Sequence, residues 1–419
     1  MTTVSLRTDG TLVRASGTTV RHVLITVQAP SSTVERRERP AVDVAFVIDR
    51  SGSMGGPKIR LAREAVVQGL SMLAPTDRFS IVAYDNQVQV VMPLGSWSIT
   101  EATQAVQAIE VNGSTNLSDG WLTACMQLAE APDARDLRKC LLMSDGQANA
   151  GIVDAGQLGV HAAALRERGI CTSTFGIGHD FDEELMTRMA REGGGQAYYI
   201  EHAAQTPGLL TSELGETLDV VARDVVLHLR LPDRATLDVL SDFRASGAGP
   251  TQTVALGHLV SGQAVSVLLR VACPEGTTGT SLSLGASVVS AEQPAGAWSD
   301  LVWTYADEEA CAQQAMDAEV LAHIARVDAA RARREAVFHN RRGNFVGARR
   351  TMEEAAQLIY ERAGSIDEAQ ATVASMLSDA AMFEAPMAPS ARKATEYASR
   401  SVLASREPSG RARRSNPDA

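Results

Sequence analysis

The chain has 419 residues and a formal charge of −11, with 45% hydrophobic but only 4% aromatic residues. That length exceeds one ordinary domain and predicts two or three. The acidic balance argues against a surface given over to nucleic acid.

Lysine occurs only at 58, 139 and 393, so arginine supplies nearly all the positive charge. The cysteines, Cys125, Cys140, Cys171, Cys273 and Cys311, are odd in number and widely spaced. No Cys-x-x-Cys occurs, so buried reduced thiols are expected rather than disulfides or zinc. The first residues lack the basic start and apolar core of a signal peptide. No apolar run reaches the roughly 18 residues of a membrane span. A cytoplasmic protein is expected.

Residues 1–40 read as strands, 3–7 and 22–28, with Asp9-Gly10 as a turn. A strand pair this short cannot bury itself and must join another sheet. Residues 35–40 read as a charged linker.

Residues 41–205 alternate strand and helix. Val42 to Asp49 is a β-branched, apolar run of the kind buried on both faces of a parallel sheet. Residues 57–73 place Ile59, Ala62, Ala65, Val66, Gly69, Leu70 and Leu73 on one helical stripe. Strands 79–85 and 88–94 are separated by two residues and form a hairpin, which makes one of them an antiparallel edge. Helices follow at 100–110 and 117–130, then strand 139–144, helix 155–168, strand 170–178, helix 182–191 and strand 197–200. The alternation predicts a doubly wound, mostly parallel sheet with right-handed crossovers.

From 220 to 305 the apolar period switches to two. Strands at 224–231, 252–256, 264–271, 281–288 and 298–305 predict a small β-sandwich. The N-terminal strands are expected to join it, making the α/β segment an insertion with its ends close together. Residues 306–383 read as helical: 307–340, a turn, 344–364 and 366–383. Residues 384–419 are rich in Pro, Ser, Ala and Arg and are expected to be a disordered tail.

Three loops carry the chemistry. Asp49-Arg50-Ser51-Gly52-Ser53 ends the first strand of the α/β segment, where ligands bind in open α/β sheets. Thr115 lies in Asn112-Gly-Ser-Thr-Asn116, and Asp145 ends another apolar strand before Gly146. A carboxylate and two hydroxyls at alternate positions can aim their oxygens at one point, and hard divalent cations take oxygen ligands. Alone, each element also makes a good helix cap or turn. Gly113 and Gly146 are expected to serve backbone conformation at positive φ.

Taken together, Asp49, Ser51, Ser53, Thr115 and Asp145 resemble the metal-ion-dependent adhesion site of the von Willebrand factor A domain. The resemblance covers about residues 40 to 205. It implies that these five side chains hold Mg²⁺, with Mn²⁺ or Ca²⁺ as alternatives, and leave a position for an Asp or Glu of a partner protein. The whole arrangement resembles bacterial A-domain proteins described as similar to calcium-activated chloride-channel homologues. Chelatase-like systems pair such domains with a separate AAA+ ATPase, an alternative partner. This chain has no phosphate-binding loop of its own, since Gly55-Gly56-Pro57-Lys58 lacks the frame. A metal-dependent hydrolase is the further alternative, although no general base or nucleophile accompanies the five residues. His179, after a strand end, is a weak candidate for a rim contact.

Overall fold

The computed structural model describes residues 1–31, 39–131, 135–146 and 148–414. They fall into two compact units, Val34–Asp219 and Met1–Thr33 with Val220–Ala419. Part of the expected linker, 35–38, lies outside the described residues.

In chain order the elements begin with β1 (Thr3–Thr8), β2 (Leu12–Arg14) and β3 (Thr19–Gln28). Next come β4 (Val42–Asp49), α1 (Pro57–Met72), β5 (Arg78–Tyr84), β6 (Val88–Gly95), α2 (Ile99–Gln107) and α3 (Leu117–Ala129). They are followed by β7 (Leu137–Ser144), α4 (Ala155–Glu167), β8 (Ile170–Ile177), α5 (Glu183–Glu192), β9 (Gly194–Ile200) and α6 (Thr206–Leu218).

β4 to β9 form one sheet in the order β6-β5-β4-β7-β8-β9. Every pairing in it is parallel except the β5–β6 hairpin. Every residue of β4 and β8 is buried, as a sheet covered on both faces requires. On β8, Thr172 accepts from the indole of Trp121 in α3, whereas the next residue, Ser173, donates to Glu213 of α6. Successive strand residues face opposite ways, so α3 and α6 cover opposite faces.

Helix α6 was not expected from the sequence. It buries Leu210, Leu214 and Glu213. The Glu213 carboxylate accepts from Ser173 and from Tyr198, both at 2.6 Å, and pairs with Lys139. β4 lies between β5 and β7, so the chain leaves it in one direction first and in the other later. That is the switch point at which a crevice opens beyond the strand ends.

The second unit continues with β10 (Val220–Arg230), β11 (Thr236–Val239), β12 (Arg244–Ala248), β13 (Thr251–Val260), β14 (Ala264–Cys273), β15 (Ser281–Val289) and β16 (Ser299–Ala306). It ends with α7 (Glu308–Gln313), α8 (Ala318–Arg341), α9 (Phe345–Ala363), α10 (Asp367–Ala380) and α11 (Pro389–Leu403). One sheet has the order β1-β3-β14-β11, the other β12-β13-β10-β15-β16-β2. One apolar cluster joins them: Val23, Ile25, Val267 and Leu269 from the first, Leu227, Leu229, Val288 and Trp303 from the second. Leu24 and Leu268, between those inward residues, face the opposite way and join a second cluster with α8, α9 and α10.

Two expectations fail here. The helix expected over 307–340 is broken. Asp317 caps α8 by accepting from the Val320 amide at 3.1 Å, and Gln314 turns aside to pair with both backbone groups of Leu12. The tail expected to be disordered from 384 is helical over Pro389–Leu403 and buries Lys393, Tyr397 and Leu403. Its end continues onto β14, where Ser405 accepts from the Ser266 amide and the Ala264 amide donates to Arg413. Composition pointed to disorder, but 393, 397 and 403 make a helical stripe that finds a surface to cover. Residues 415–419 lie outside the described residues.

Candidate functional site

The loops after β4 and β7, with the stretch before α3, meet at the carboxyl edge of the parallel sheet. Backbone clamps hold them there. The Gly52 amide donates to Gly113 at 3.1 Å, and Asn112 donates to Arg50 at 2.8 Å. Thr115 and Asn149 clasp each other: the Thr115 amide donates to the Asn149 side chain at 3.1 Å, and the Asn149 amide returns a bond to the Thr115 carbonyl at 3.2 Å. Gly113 has φ +64, and a Cβ there would stand 2.2 Å from the Asn86 Oδ1. The backbone conformation there demands glycine, and a side chain would also have to displace the Asn86 amide. Gly146 does not adopt the positive φ expected of it. Its role is spatial, since an added Cβ would lie 3.2 Å from the Thr115 Oγ1 and 3.7 Å from the Ser53 Oγ.

The five residues singled out from the sequence are brought together. Asp49 Oδ1 accepts from the Ser51 amide at 2.8 Å. Ser51 and Ser53 hydroxyls are 3.2 Å apart, and Ser53 donates to Asp145 Oδ1 at 2.8 Å. The Thr115 hydroxyl faces Ser53 across Gly146. Asp49 and Asp145 are wholly buried. Burial pushes the Asp49 carboxyl above the usual carboxylate range, bonds from Ser144 and Ser51 oppose it, and the Asp145 charge adds to it. Met54 is buried at the foot of the loop.

The sequence reading missed several groups. Ser144 donates to Asp49 Oδ2 at 2.6 Å. The phenol of Tyr84, wholly buried beside Asp49, is held well above its ordinary pKa, first by burial and then by that carboxylate's charge. Asp85 pairs with Arg50 at 3.0 Å and takes the Gln87 amide at 2.6 Å, which steadies the loop from below. Lys58, weighed only as part of a phosphate loop, ion-pairs with Asp145. Ser144 and Lys58 stand beside residues already singled out. Nothing in the sequence marks Asn149. His179 is exposed, with Nδ1 at 2.9 Å from the Tyr199 hydroxyl, and none of the five residues is its hydrogen-bond partner.

An open parallel sheet with helices on both faces and a polar cluster at its switch point defines a class, the doubly wound α/β domains. More specifically, residues 43–212 match the family model of the von Willebrand factor type A domain, and the chain carries that domain. It is 30% identical over 208 residues to an uncharacterized protein, YfbK, of Escherichia coli, covering 49% of this chain and 36% of that one. It is also 30% identical over 226 residues to inter-alpha-trypsin inhibitor heavy chain H4 of Bos taurus, covering 51% of this chain and 24% of that one. The chain thus spans about a third or less of these two relatives.

Two solved structures share the fold more widely. A von Willebrand factor type A protein from Catenulispora acidiphila has a TM-score of 0.69 at 18% identity, over 89% of this chain and 88% of that one. The ArnB paralog VWA2 from Sulfolobus acidocaldarius has a TM-score of 0.57 at 19% identity, over 91% and 98%.

Proposed function

We propose that the chain is a divalent-cation-dependent protein-binding module, in which Asp49, Ser51, Ser53, Thr115 and Asp145 hold Mg²⁺ directly or through water. The observation that carries the reading is the gathering of two wholly buried carboxylates and three hydroxyls from separate loops at one sheet edge. The donor set suits the ion: all five side chains offer hard oxygens, and Asp49 is wholly buried with only neutral hydrogen-bond donors on its carboxylate among the described residues. Mn²⁺ and Ca²⁺ share that chemistry. When bound, the ion offers an open position to an Asp or Glu carboxylate of a partner protein.

Von Willebrand factor A domains are often protein-interaction modules, and this supports a binding role rather than a catalytic one. We read the two sheets that share a core as a β-sandwich, with the von Willebrand unit inserted between β3 and β10. The free cysteines, four of them buried, support a reducing, cytoplasmic setting. No helix among the described residues is long and apolar enough to cross a membrane.

The test is capture from native lysate on the immobilised full chain, in Mg²⁺ and in EDTA, with Asp49→Ala as the control. Partners retained in Mg²⁺ and lost both in EDTA and on Asp49→Ala are the expected result. Partners that persist in EDTA would overturn the reading. Co-capture of an ATPase under the same controls would identify the partner as the AAA+ type.

A further inference from the structure

Lys58 is the second residue of α1, where the helix dipole disfavours a cation. Its position there has a local cause. The ammonium turns back over the loop, ion-pairs with Asp145 Oδ2 and donates to the Ser53 carbonyl at 3.3 Å. Its stem runs past Gly178, where an added Cβ would lie 3.6 Å from both Cε and Nζ. Among the described residues, no other ammonium or guanidinium is ion-paired with Asp49 or Asp145.

The other carboxylate oxygens are met by neutral donors: the Ser51 amide and Ser144 hydroxyl on Asp49, and the Ser53 hydroxyl on Asp145. Asp145 is wholly buried, whereas the Lys58 side chain is 28% exposed and has a path to solvent.

From this geometry we infer that Lys58 is a tethered counter-cation, which neutralises Asp145 in the metal-free protein and competes with the divalent ion for the same carboxylate. The inference rests on the metal reading above and adds a regulatory property to that site. A buried carboxylate left without a partner is costly, so the ammonium keeps the metal-free loop in its binding shape. Entry of the ion displaces Lys58 toward the rim, and loss of the ion lets the ammonium return to Asp145. The tether thereby weakens divalent affinity and makes occupancy reversible. Lys58 is a positioning residue here, not a ligand.

The chain has only three lysines; the Lys139 side chain is 12% exposed and Lys393 as a residue 1%, which makes an amine-labelling experiment clean. The full chain is treated with a limiting acetylating reagent, with and without Mg²⁺, and Lys58 modification is followed by mass spectrometry. Labelling of Lys58 is expected to rise severalfold in Mg²⁺ while Lys139 and Lys393 stay unchanged. In calorimetry, Lys58→Gln is expected to bind Mg²⁺ about fivefold or more tighter than the wild type, and to melt at a lower temperature in EDTA.

Equal labelling with and without Mg²⁺, or a Lys58→Gln protein that binds Mg²⁺ no tighter than wild type, overturns the inference and leaves the metal reading standing. A wild-type chain that binds no more Mg²⁺ than Asp49→Ala overturns both. The labelling arm uses the wild type, so it stands even if the variant folds poorly.

Discussion

β4 and β10 each lie third in a six-stranded sheet, yet they bury their residues differently. All eight residues of β4 are buried. β10 alternates, with Ala222, Val225, Leu227 and Leu229 inward and the intervening positions at least partly exposed. The spacing of three between Ala222 and Val225 is absorbed by register shifts around Asp224, which takes φ +50. A strand covered on both faces has no side to offer a ligand, so its polar chemistry collects at its tip, where Asp49 is. A strand covered on one face offers its flank along its whole length. The parallel sheet therefore concentrates a charged site at one edge, and the sheet of β10, antiparallel except for β16 and β2, offers a broad flank.

The most severe way to test that contrast is to hollow out each strand. Phe46→Ala, in the middle of β4, is expected to cost about 3–5 kcal/mol, because wholly buried aromatic volume is removed where both faces are already packed. Val226→Ala, half-buried on β10, is expected to cost about 1 kcal/mol or less. Urea unfolding of the full chain reads both, and equal losses would remove the distinction between the two strands.

A smaller effect comes from filling space instead of removing it. A Cβ on Gly120 of α3 would stand 2.5 Å from the ring of Tyr84, which is wholly buried beside Asp49 and has no room to withdraw. Gly120→Ala is expected to cost about 1–3 kcal/mol. It should also weaken Mg²⁺ binding, because the ring is pushed toward Asp49. Unchanged Mg²⁺ affinity at reduced stability would show that the site is insulated from the packing beneath it.

The unit built on antiparallel sheets carries its own buried titratable group. His323 of α8 is 8% exposed; burial first, then the charges of Arg326 and Arg413, lower its pKa to about 4. Its folded pKa lies below the unfolded value of 6.5, so the unfolded chain takes up the proton first. The stabilising contribution is complete above about pH 6.5 and falls as the pH drops toward 4. The expected loss is at most about 1.4 kcal/mol per pH unit in that window. His323→Gln should flatten this slope in chemical denaturation between pH 7 and 5, whether or not Mg²⁺ is present. An unchanged slope in the variant would assign it to other groups.

The strands of the parallel sheet were legible from local signals, and the five clustered side chains were legible only as a set, through the resemblance that joined Thr115 and Asp145 to the first loop. Apolar runs ended in an acid, and oxygen donors stood at alternate positions. Glu213 and α6 were not legible, since a glutamate among leucines gives no hint that Ser173, Tyr198 and Lys139 await it. The break at Gln314 depends on an amide side chain completing the backbone of Leu12 some three hundred positions away, which no window of sequence contains. α11 was misread because its alanines, serines and arginines resemble a solvated tail, although Lys393 and Tyr397 stand one helical turn apart. Lys58 shows a different failure: the residue was noticed, but its partner was not, because Asp145 lies 87 residues further on.

The smallest effect on stability is expected where the effect on binding is total. Asp49→Asn keeps one side-chain oxygen to accept from the Ser51 amide and turns its NH2 toward the Ser144 hydroxyl, which rotates to accept instead of donating. It removes a negative charge that burial disfavours. In EDTA the variant is therefore expected to unfold within about 0.5 kcal/mol of the wild type, or to be slightly more stable. Mg²⁺ should stabilise the wild type and leave the variant unmoved, because binding to the folded state alone raises its stability by mass action. Urea titrations with and without Mg²⁺ give both numbers from one protein pair. A large loss in EDTA would mean that the Asp49 charge organises the loops themselves, and the tip of β4 would then be structural as much as functional.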